Sequence, residues 1–145
     1  MSCPHVRFIN NSSTHLPQWQ IVITELINCA AQKLELPSQL EVVFADLGPS
    51  VYGDTRVDNR FKNRITVNTS LQLRDVPHVL IHELIHVNQI HTGLLWCDPG
   101  GNMHWRGVNW GSPDNLTWEE YCALPWEADV TAKHRQLLLT VLDNK

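Results

Sequence analysis

Residues 76–91 set two histidines and a glutamate, His82-Glu83-Leu84-Ile85-His86, into a run that is otherwise apolar nearly all round: Val76, Val79, Leu80, Ile81, Leu84, Ile85, Val87 and Ile90. Asp75 stands where an N-cap is expected. Pro77 suits a first helical turn, where its missing N–H costs nothing, and Gly93 suits the helix end. The expectation is a helix over residues 76–91. A helix without a polar face belongs in the middle of a domain. Ionisable groups buried there are expensive unless a metal or hydrogen bonds satisfy them. The rest of the chain must therefore wrap this helix and supply those partners.

Residues four apart share a helix face, so His82 and His86 can aim ring nitrogens at one point. Glu83 lies about 100° round from His82, within reach of a water on a metal held by the pair. Zinc accepts imidazole nitrogen and keeps an open position for water at catalytic sites. The H-E-x-x-H spacing therefore points to a zinc-dependent hydrolase, most often a peptidase, with Glu83 as general base.

Catalytic zinc usually takes three protein ligands. Downstream of His86 the candidates are Glu127, His104 and Asp129. His91 falls on the far side of the helix. The metzincin extension needs Gly and His where Gln89 and Thr92 stand, which excludes that pattern. His104 follows a loop-like stretch, residues 97–103, from which a ligand could fold back. Glu127 opens a second helical segment, residues 125–142, although a carboxylate at a helix N-terminus is favoured without any metal. A donor for a developing oxyanion could come from His134, two turns beyond Glu127 on the same face, or from Tyr121 or Tyr52.

A length of 145 residues suits one domain, residues 1–145, with a core of its own. The net charge of −4 gives no electrostatic case for nucleic acid. The basic cluster Arg56, Arg60, Lys62 and Arg64 is interspersed with Asp54 and Asp58 and reads as a solvated hairpin face. No apolar run reaches membrane length. The first residues, Met1 to His5, lack the basic-then-apolar layout of a secretory signal. The expected location is the cytosol or a particle assembled there. Cys3, Cys29, Cys97 and Cys122 show no C-x-x-C spacing and read as thiols of a reducing compartment.

The pattern predicts an α+β chain. Residues 1–16 read as irregular. A helix is expected over residues 17–35, with Trp19, Val22, Ile23, Leu26, Ala30 and Leu34 as its buried stripe. Residues 40–44 read as a strand, and residues 51–57 and 64–69 as a hairpin around Asp58-Asn59-Arg60, giving a small, mostly antiparallel sheet. After the H-E-x-x-H helix come a long loop over residues 93–114, a capping box at Thr117 and Glu120, and the last helix. The loop holds Trp96, Trp105 and Trp110, either as pins to the core or as a specificity wall.

Downstream of H-E-x-x-H, Trp105-Arg106-Gly107 and Tyr121-Cys122-Ala123-Leu124-Pro125-Trp126-Glu127-Ala128-Asp129 resemble the small metallopeptidases encoded by phages and prophages. In that family a W-x-G element and a Y-x-x-L-P-W-E-x-E-A-like helix follow the H-E-x-x-H helix. The match covers roughly residues 76–132. The chain departs from it at Asp129, where Glu is usual, and at Val130, where Ala is usual. The resemblance implies a minimal zincin-like domain: an N-terminal helix, a small sheet over the metal helix, and a C-terminal helix bearing the ligand. It implies Zn2+ held by His82, His86 and Glu127. Residues 64–69 or 51–57 would form the sheet edge that pairs with an extended substrate. A more distant similarity is to SprT-like metalloproteases, which take a third histidine downstream. The expected function is hydrolysis of peptide bonds in a peptide or protein substrate. The second expectation is a structural or adaptor protein of a phage particle that keeps the zincin fold and contacts other phage structural proteins. Neither involves nucleic acid or a membrane.

Overall fold

The computed structural model describes residues 4–10, 16–48, 53–55 and 63–143 of the chain. Alternation builds its main sheet. In β2 (Gln39–Ala45) Leu40, Val42 and Phe44 are buried on one face while Glu41 and Val43 are only partly covered. In β4 (Arg64–Asn68) Ile65 and Val67 do the same. β1 (His5–Asn10) and β3 (Gly53–Thr55) complete four strands in the order β1-β2-β4-β3. On the opposite face Arg7, Glu41 and Arg64 stand in register across three strands. Arg64 meets the Glu41 carboxylate at 2.9 Å and Arg7 meets it at 3.8 Å. Arg64 is thus spent on a cross-strand ion pair; Arg56, Arg60 and Lys62 lie outside the described residues.

Two expectations about this sheet are corrected. Residues 5–10 are a strand, where an irregular segment was expected. Moreover β1–β2 and β2–β4 are parallel and only β3–β4 is antiparallel, so this sheet is not mostly antiparallel. The physical reason is α1 (Leu16–Ala30), which carries the chain back between β1 and β2 as a parallel pair requires. β1 contributes only Val6 and Phe8 to the core, Phe8 stacking on Phe44 at 6.1 Å. Two apolar positions are too few for a strand to show in a sequence pattern. The predicted hairpin partners do pair, as Gly53–Thr55 against Ile65–Val67. Because β4 lies between β2 and β3, the edges of this sheet among the described residues are β1 and β3, and the strand before α2 is not one of them.

α1 buries Trp19, Ile23, Leu26, Ile27 and Ala30. It ends at Ala30 instead of residue 35, and tight turns through Leu34 follow. α2 (Val76–His91) runs as the sequence indicates, with Pro77 in its first turn and Gly93 just past its end at a φ of +80°. Asp75 makes no side-chain cap; it closes a short 3-10 turn instead. Val76, Leu80, Ile81, Leu84, Ile85 and Val87 are fully buried. α1, α4 (Pro125–Asp143), β3 and β4 all pack on this helix.

Residues 93–114 are not the expected loop. They fold into an antiparallel sheet of β5 (Leu95–Cys97), β6 (Met103–Trp105) and β7 (Val108–Gly111). Asp98 shapes the first turn by accepting the amides of Gly100 and Asn102 at 2.9 Å each. The second turn is Arg106-Gly107, both at positive φ, as a two-residue hairpin requires. Trp105 is a core pin: with Leu95, Met103 and Trp126 it forms a second, smaller core. Trp96 and Trp110 are about half exposed. The capping box at Thr117 and Glu120 is present, but it opens a five-residue helix, α3 (Trp118–Cys122), ahead of α4. No helix among the described residues is long and apolar enough to cross a membrane.

Leu84 lies at the centre of these contacts. Leu84→Ala is expected to lower the unfolding free energy by about 2–5 kcal/mol, read from the midpoint of urea denaturation with an unchanged slope.

Candidate metal centre

α2 and α4 bring three of the sequence candidates together. His82 Nε2 lies 3.4 Å from one Glu127 carboxylate oxygen, and His86 Nε2 lies 3.0 Å from the other. One donor atom from each of the three residues falls within a 4.8 Å cluster. That spread leaves one donor atom of each residue within reach of a single ion. The donor set, two imidazole nitrogens and a carboxylate, is one that zinc accepts at catalytic sites. His86 and Glu127 are buried, while the His82 side chain is 40% exposed. Solvent therefore reaches the cluster on the His82 side.

The remaining candidates are placed elsewhere. His104 Nε2 meets Asp98 Oδ2 at 2.9 Å, and the ring stacks on Trp96 at 3.9 Å. The His104 hydrogen bond, with the amides of the turn, holds the Asp98 carboxyl down at about 2. Asp129 takes hydrogen bonds from Gln89 and Lys133 and is not one of the three clustered ligands. His91 is exposed on the far side of α2. His134 donates from Nε2 to the His78 carbonyl at 2.8 Å, which ties α4 to α2 and takes it out of contention as an oxyanion donor. Tyr52 lies outside the described residues.

Glu83 is buried one residue along from His82. Thr55 of the edge strand donates to its carboxylate at 2.6 Å. A Cβ at position 53 would stand 2.8 Å from Val79 Cγ1 and 3.3 Å from Glu83 Cγ, so β3 reaches the helix because residue 53 is glycine. Tyr121 stands near the end of α3. Burial, the charges of Glu127 and Glu83, and a hydrogen bond to Glu127 push its pKa up. It is therefore an O–H donor at any ordinary pH.

Sequence reasoning missed Thr55 and Gln89. Nothing marks a threonine on a three-residue strand as a partner of Glu83. Gln89 stands out only as a polar residue inside an apolar helix, where it is fully buried. No protein-family model, curated protein or solved structure matches this chain.

Burial alone would raise the Glu127 pKa; hydrogen bonds and charge from His82 and His86 outweigh it and hold the carboxyl at about 2, below its ordinary 4.5. Burial alone would lower the His86 pKa; its hydrogen bond and attraction to Glu127 outweigh that and raise it above 6.5. A depressed acid stabilises the fold above its unfolded pKa and loses that as pH falls. A raised histidine stabilises below its unfolded pKa and loses that as pH rises. The chelator-treated protein is therefore expected to gain most from this cluster between pH 4.5 and 6.5. The difference in Tm between wild type and Glu127→Ala, scanned against pH in EDTA, should be largest in that window.

Proposed function

We propose that the chain is a zinc-dependent peptidase. The observation that carries this reading is Glu83, buried and held by Thr55 beside a three-ligand cluster that is open on one side. Structural zinc has no use for a carboxylate in that position. His82, His86 and Glu127 would hold the ion, which when bound supplies a water acidified toward neutrality and polarises the scissile carbonyl. Glu83 takes the proton from that water and passes it to the leaving amine. With Glu127 turned to the ion, the Tyr121 hydroxyl would be released to donate to the oxyanion as it develops. Among the described residues β3 is an edge of the sheet and holds Glu83 through Thr55, which is where an extended peptide would pair. The motifs resembling phage-encoded metallopeptidases agree with this reading. It makes the chain a zincin-like member of that family, acting in the host cytosol or as part of a particle.

Elemental analysis of purified protein is expected to give about one zinc per chain, lost in Glu127→Ala and retained in His104→Ala. Glu83→Gln should keep the metal and lower hydrolysis of a peptide library about 10²–10⁴-fold. Undiminished hydrolysis in Glu83→Gln would sink the mechanism. Zinc bound by wild type with no peptide cleaved would move the reading to a particle component that keeps the metal for its fold.

A further inference from the structure

Behind the ligands a second layer of polar contacts runs across the junction of α2 and α4. His86 Nδ1, the ring nitrogen turned away from Glu127, lies 2.8 Å from Gln89 Oε1. Gln89 is fully buried. Its amide nitrogen donates to the Trp126 carbonyl at 3.0 Å and to Asp129 Oδ2 at 2.9 Å. Lys133 donates to the same Asp129 oxygen at 3.0 Å.

This arrangement has one polarity. The Trp126 carbonyl accepts only, and so does the Asp129 carboxylate, which also accepts from Lys133. Both hydrogens of the Gln89 amide are therefore committed to α4. A flipped amide would set its oxygen against two other oxygens in a buried site, with no compensating partner. The amide oxygen must then face His86, and it can only accept. Nδ1 must carry a proton, and Nε2, which lies 3.0 Å from Glu127 Oε2, is the nitrogen that would give its lone pair to an ion in the cluster. The Trp126 carbonyl belongs to the residue just before Glu127, so one side chain orients the second histidine and grips the backbone beside the third ligand.

We propose that Gln89 is the positioning residue of the metal centre: anchored by Asp129 and the Trp126 carbonyl, it fixes the ring orientation and tautomer of His86 and so sets metal affinity. The proposal rests on the reading of His82, His86 and Glu127 as a metal site. It gives Asp129 an outer role in place of ligation. Outer partners of this kind are worth about 10–100-fold in metal affinity.

The test compares Gln89→Met, which removes the acceptor at similar length, with Asp129→Asn, which keeps an oxygen for the Gln89 amide. Zinc dissociation constants come from competition with a chelating dye. The tautomer of His86 comes from the ring nitrogen shifts of ¹⁵N-histidine-labelled, metal-free protein at about pH 9, where histidine is neutral, in a Glu127→Ala background that leaves Gln89 as the acceptor on the ring. Gln89→Met is expected to weaken zinc binding about 10–100-fold and to lose the single Nδ1–H signature of His86. Asp129→Asn should stay within about threefold of wild type, since the acceptor on Nδ1 survives. If Gln89→Met does not fold, Gln89→Asn, whose shorter amide cannot span from α4 to His86, takes its place and should show the same losses. A folded Gln89→Met or Gln89→Asn with wild-type affinity and an unchanged His86 signature would overturn the proposal. Failure of wild type to bind zinc would count against the metal site itself, while the nitrogen shifts would still decide whether Gln89 orients His86.

Discussion

A carboxylate and two imidazoles meet across the α2–α4 interface, and the docking of these helices depends on that contact. Glu127 sits in the first turn of α4, and the buried residues Val130, Leu137 and Val141 follow it into the core. That face can pack on α2 in many registers as far as apolar area is concerned, since hydrophobic attraction is non-directional. The carboxylate removes the freedom. A buried charge left without its partners costs several kcal/mol, so only a register that brings Glu127 to His82 and His86 is tolerated. Gln89 and His134 add directional bonds between the same helices, from Gln89 to the Trp126 carbonyl and from His134 to the His78 carbonyl. The sheet and α1 cover the remaining faces of α2, so that a helix carrying ionisable groups can be central at all.

Some of this could be read from the residues alone because it is local. The period of α2, its proline start and glycine stop, the alternation of β2 and the capping box all lie within a few residues of what they specify. The pair His82 and His86 is legible for the same reason: helical spacing converts sequence distance directly into direction. Glu127 is different. Residue type and helix position make it eligible, yet His104 and Asp129 are eligible on the same grounds. What separates them is where each side chain is already spent: His104 on Asp98, Asp129 on Gln89 and Lys133. Those commitments exist only once distant segments have met.

The parts that were not legible share a physical character. β1 joins through parallel pairing across a helix, a contact without a local signature. β5, β6 and β7 run to three or four residues each and are specified by their turns, the Asp98 loop and Arg106-Gly107, more than by any alternation. Thr55 and Gln89 are neutral polar residues whose importance comes from the particular atoms each one faces.

The second small core gives α4 two independent supports. Its body is held by the main core through Val130, Leu137 and Val141, whereas its first turn is held through Trp126 by Leu95, Met103 and Trp105 of the accessory sheet. Glu127 lies where these two supports meet, like a hinge pin between a wall and a strut. Damage to the strut leaves the wall standing. Lesions in the accessory sheet should therefore displace Glu127 from His82 and His86 while the main core stays packed. A screen for loss of that cluster would return positions far from the histidines, in chains that still fold.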